Sequence, residues 1–104
     1  MFVKVVLVDI NPNMIDAWKE TFEENPEVEI LSGSMLNQHV SAWVTPTNSH
    51  ARMDGGLDAV IKNHFGQKIE SRVQQEIKKL YGSSMPVGYA TCVPTGVTQP
   101  GYLI

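Results

Sequence analysis

Asn48, the glycine pair Gly55-Gly56 and Asp58 stand close together in the stretch WVTPTNSHARMDGGLDAVIKNHFG, residues 43 to 66. An amide offers a donor and an acceptor, suited to a sugar hydroxyl or to holding a water. A carboxylate ten residues on can take a proton from that water or bind the sugar itself. Glycines let phosphates or a sugar approach the main chain closely, and the N–H groups at a helix start favour anions. Together these residue types fit a phosphorylated sugar better than a metal, since no His or carboxylate cluster has ligand spacing. The same loop residues also fit an ordinary turn, and Asp58 also fits a helix-favouring charge.

The elements that must hold these residues follow from periodicity. VKVVLVDI (3–10) is an apolar, β-branched run, the pattern of a strand covered on both faces. A helix is expected next, with Asn11 as N-cap, Pro12 at its first position and an end at Asn25-Pro26. Its core stripe is read as Met14, Trp18 and Phe22, with Ile15 beside it. Asp9 is read as a strand-end residue that caps Asn11. Strands are expected at EVEIL (27–31), HVSAWVT (39–45) and VGYATCV (87–93), with another beginning at YLI. SGSMLNQ is read as a loop.

Beyond the glycines, Leu57, Ile61 and Phe65 keep helical spacing, Gly66 interrupts, and Ile69, Val73, Ile77 and Leu80 resume it. Ile69, Val73 and Ile77 are expected in the core. Lys78, Lys79 and Gly82 mark a helix end. Strands alternating with helices predict an α/β layered domain with a largely parallel sheet. In such sheets ligands bind at the carboxyl ends of strands, where the loop after HVSAWVT emerges.

Bulk properties narrow the partners. The chain has 104 residues, 42% of them hydrophobic, which suits one domain (1–104) with a small core. Eight basic against 11 acidic residues give a net charge of −3, which disfavours a sequence-independent grip on duplex nucleic acid. A single nucleotide stays compatible, because backbone N–H groups can hold a phosphate. Cys92 is the only cysteine, so a disulfide framework and a cysteine-rich zinc site are excluded, and it is expected to be buried. His39, His50 and His64 are expected to be solvated or packed. The first residues do not read as a leader, and no window has the length of a membrane span, so a cytoplasmic location is expected. The apolar ending GYLI suggests that a further strand or helix of the domain lies outside this chain.

The stretch VTPTNSHARMDGGLDAVI resembles the signature of macro domains, which runs Val-Asn-Ala-Ala-Asn-Ser, a spacer, then Gly-Gly-Gly-Gly-Val-Asp-Gly-Ala-Ile. Val44 takes the leading valine, Asn48-Ser49 the second Asn-Ser, Gly55-Gly56 the last two glycines, Leu57 the valine, Asp58 the aspartate and Ile61 the isoleucine. Thr45 and Thr47 fall within the first half of the motif, Thr45 in place of its first asparagine. Met53 and Asp54 replace the first two glycines. PVGYATCVPTG (86–96) is similar to the family's Pro-Thr-Gly-Glu-Ala strand and the turn after it. GSM (33–35) occupies the place of Gly-Asp-Ile, with Ser34 where the family has its adenine-contacting aspartate and Met35 beside it.

The resemblance implies a three-layer α/β/α sandwich with a mixed, largely parallel sheet whose C-terminal part is missing here. It implies ADP-ribose or a related nucleotide sugar as ligand, bound along Ser34, Met35, Thr45, Thr47, Asn48, Gly55, Gly56 and Leu57. In some members it implies removal of ADP-ribose from macromolecules or dephosphorylation of ADP-ribose 1''-phosphate. Asn48 would then face the distal ribose and Asp58 would activate a water or the ribose, without metal or cofactor. Two other readings stand beside the enzyme: a module that binds without chemistry, and an assembly protein that forms homo-oligomers through open sheet edges.

Overall fold

The structure, a computed structural model, describes residues 3–104; the first two residues of the stretch read for a leader lie outside them. The chain is a small α/β protein with three helices and mixed sheets, divided into two compact units at Gln38 and His39.

The first unit is a strand, a helix and a parallel strand. Strand β1 (Val5–Asp9) pairs in register with β2 (Val28–Ser32), Val5 opposite Val28 and Asp9 opposite Ser32. Parallel partners need a crossover, supplied by helix α1 (Pro12–Thr21). Its start is built as expected: Asp9 Oδ1 accepts the Asn11 N–H at 2.9 Å, and Asn11 Oδ1 accepts the Asn13 N–H at 2.9 Å. Pro12 costs nothing there, because its missing donor would have had no partner.

Three expectations are corrected in this unit. The helix ends at Thr21, and Phe22 rather than Asn25-Pro26 closes it, its N–H reaching the Trp18 carbonyl. Met14 is exposed while Ile15 is buried, because residues 15, 18 and 22 share a tighter helical face than 14, 18 and 22. Strand β1 is half-covered rather than buried on both faces, with Val5 exposed.

The second unit carries a three-stranded sheet of short strands. Strand β3 (Ala42–Trp43) runs parallel to β5 (Tyr102–Leu103), which pairs antiparallel with β4 (Val93–Pro94). Helices α2 (Gly56–Phe65) and α3 (Gln67–Tyr81) precede β4, and Gly66, at φ 89°, breaks them apart where the sequence pattern is interrupted. The core takes Trp43, Val93 and Leu103 from the sheet, Ile61 from α2, and Ile69, Val73 and Ile77 from α3. Trp43 also packs against the rings of Phe65 and His64, at centroid distances of 5.6 and 5.3 Å. Gly82 ends α3 at φ 88°, as its position predicts.

The strand expected at 87–93 is reduced to Val93–Pro94. Gly88 sits at φ 90° and the Tyr89 N–H closes a turn onto the Pro86 carbonyl, so the alternating pattern is bent out of the extended region. Val87 and Tyr89 are exposed, and so is Cys92, against the expectation of a buried thiol. The strand expected at 39–45 likewise shrinks to two residues, although the Thr45 N–H still reaches the Ile104 carbonyl at 2.9 Å. The pairings thus fall into two separate sheets rather than one largely parallel sheet. Among the described residues no helix is long and apolar enough to cross a membrane.

Candidate functional site

The loop from Thr45 to Gly55 joins the end of β3 to the start of α2 and carries most of the singled-out residues. Asn48 organises it. Its Oδ1 accepts the N–H groups of His50 (3.2 Å) and Arg52 (3.0 Å), and its Nδ2 donates to the Arg52 carbonyl at 2.8 Å. Its own carbonyl accepts the Ala51 N–H at 3.0 Å. These partners fix which end of the amide is oxygen. They also tie up the acceptor and one of the two donors, leaving a single N–H of this exposed side chain for a ligand.

Asn48 thereby holds a conformation that the sequence did not announce. Ala51 lies in the left-handed region at φ 56° and is fully buried. Met53, two residues on, is fully buried as well. Helix α3 reaches across to both. The Met53 N–H donates to Glu70 Oε2 at 2.7 Å, and Gln74 Nε2 donates to the Ala51 carbonyl at 3.2 Å. The Met53 N–H first, and Lys62 at 3.2 Å second, hold the Glu70 carboxyl below its ordinary value, against partial desolvation that pushes it up.

At the helix start, Gly56 adopts φ 57°, whereas Gly55 at φ −156° is extended and needs no glycine for its backbone. No atom outside the immediate chain lies within 4 Å of where a Cβ would stand at either residue. Met53 therefore leaves the space beside the glycines free. No side chain caps the helix, so the first N–H groups of α2 keep their hydrogen-bonding capacity. Leu57 is exposed beside them.

Asp58, in the first turn of α2, is buried. It is only 5% exposed, and its Oδ1 accepts the hydroxyl of Thr45, itself buried. Thr45 and Asp58, 13 residues apart in sequence, are thus brought together as a buried hydrogen-bonded pair. Thr47 has a buried hydroxyl with no protein partner. Thr45 and Thr47 both line a cavity of about 160 Å³ walled by Val44, Val73, Met85 and Leu103.

Thr45, Thr47, Asn48, Gly55, Gly56, Leu57 and Asp58 all belong to the second unit. Ser34 and Met35 belong to the first, where Ser34 Oγ accepts the Leu36 N–H at 3.1 Å and starts a single 3-10 turn, Met35–Asn37. The sequence reading missed Glu70, Gln74 and Lys62. The only signal for the first two was a polar pair four residues apart, flanking the apolar stripe of α3. No group of three or more His, Cys, Asp or Glu residues among the described residues is arranged to hold a metal ion. His39 and His50 are exposed.

No family model matches the chain, and no curated protein is significantly similar to it.

Proposed function

We infer that the chain is a macro-type module that binds ADP-ribose or a related nucleotide sugar where the loop 45–55 meets α2. The observation that carries this reading is the uncapped amino end of α2, with open space beside both glycines. A diphosphate oxygen placed there accepts main-chain N–H groups and gains from the helix dipole without any basic residue. The resemblance of residues 44–61 to the macro signature supplies the ligand class. Binding is favoured over turnover because the two candidate catalytic side chains hold internal structure first, Asn48 in the loop and Asp58 on Thr45.

Hydrolysis of an ADP-ribosyl linkage, or dephosphorylation of ADP-ribose 1''-phosphate, is the second reading. It is favoured by Asp58, a carboxylate held by the Thr45 hydroxyl through one oxygen, which suits it to take a proton from a water. Isothermal titration with ADP-ribose, ADP and ribose 5-phosphate tests the first reading. Saturable heat with ADP-ribose, weaker with either half, is the expected outcome; no heat with any of the three overturns it. Product from ADP-ribose 1''-phosphate or an ADP-ribosylated protein, lost in Asp58→Asn, decides for the enzyme.

A further inference from the structure

The loop between Asn48 and Gly55 is gripped from one helix. Glu70, in the first turn of α3, accepts the Met53 N–H at 2.7 Å, and Gln74, one turn on, donates to the Ala51 carbonyl at 3.2 Å. Positions four apart lie on one helical face, so both grips come from the same side and fall on main-chain groups two residues apart. The second oxygen of Glu70 pairs with Lys62 of α2 at 3.2 Å. One carboxylate therefore ties the loop to the helix that follows it. The gripped segment needs holding: Ala51 is left-handed without being glycine, and Ala51 and Met53 are both fully buried. The Glu70 side chain is 16% exposed, sheltered enough for its charged hydrogen bond to keep its strength.

We propose that Glu70 and Gln74 are positioning residues, a clamp on α3 that sets the loop 49–54 and with it the approach to Gly55 and Gly56. Affinity for a phosphorylated sugar is then governed from a helix that does not touch it. The clamp's ligand rests on the ADP-ribose reading, but the clamp itself is measurable without ligand. Arg52 is exposed and offers a tryptic bond inside the gripped segment, while exposed Lys19 in α1 reports on the first unit.

In the whole chain, Glu70→Ala should raise cleavage after Arg52 about tenfold with cleavage after Lys19 unchanged, because only the loop opens. Glu70→Gln keeps an oxygen for the Met53 N–H and loses the Lys62 pair, so it should recover most of the protection. Gln74→Ala should loosen the loop less than Glu70→Ala, since a neutral hydrogen bond is the weaker of the two. Wild-type cleavage rates at Arg52 in Glu70→Ala and Gln74→Ala overturn the clamp, and so does an equal rise at Arg52 and Lys19. If the wild type binds ADP-ribose, Glu70→Ala should weaken it at least about fivefold, with rescue by Glu70→Gln. Unchanged affinity with a loosened loop overturns the link to the site. No ADP-ribose binding by the wild type removes the functional reading alone and leaves the clamp to be judged by cleavage.

Discussion

At Gly56 the backbone turns through φ 57°, and at Gly55 it does not. The two glycines therefore differ, Gly56 being required by its backbone and Gly55 not, although their adjacency in sequence makes them look like a unit; on the proposed binding reading, Gly55 gives access. Gly56→Ala should lower stability by about 1 kcal/mol or more, since a Cβ in the left-handed region is strained. Gly55→Ala should stay within about 0.5 kcal/mol of wild type in a denaturant melt, because the poorer N-cap is offset by the lower unfolded-chain entropy of alanine at an extended position. The same Gly55→Ala change should weaken ADP-ribose, because its methyl fills the space left open for close approach. Equal stability losses in both variants would refute this division. Asn48 shows how far a residue's role is legible. Its amide and its loop could be found by eye, but three internal bonds claim most of the amide, and that depends on neighbours folding back onto it. The Thr45–Asp58 bond is less legible still, because a pair 13 residues apart obeys no helical or strand period.

Among the elements, helices were the readable part. The Ile69, Val73 and Ile77 stripe is buried, Gly66 and Gly82 fall at breaks, and Asn11 caps α1. Apolar period and cap chemistry are local, so one sequence window holds both. The strands were read too long, because alternation in VGYATCV does not reveal that Gly88 bends the chain. The α3 contact to the loop has a pH signature. Its carboxyl is held below the ordinary value of 4.5 by the Met53 N–H and Lys62. The stabilisation is therefore complete above that value and is lost as pH falls through the depressed folded one. Thermal melts of wild type and Glu70→Gln should differ near neutrality, with wild type the more stable, and converge in acid. A gap that widens in acid would contradict the assignment.

For the whole molecule, burial is unevenly shared. Ile15 is the only buried side chain among the described residues of the first unit, while the second holds Trp43, Met53, Ile61, Ile69, Val73, Ile77 and Leu103. Local opening is set by how much apolar surface an element covers. Backbone amides of β1 and β2 should exchange with solvent faster than those in the middle of α3, read residue by residue by NMR. Uniform protection across both units would contradict this. No Pro-, Gly- or Ser-rich linker marks residues 38 and 39, where the two compact units meet in sequence.

Cys92, the single thiol, is exposed, and its neighbours Thr91 and Val93 both line the 160 Å³ cavity beside Thr45 and Thr47. The natural chain thus already carries a unique attachment point for a maleimide dye, one peptide bond from the cavity wall on either side. An occupant of that cavity can be followed by the colour or anisotropy of the label, without engineering a reporter into the protein.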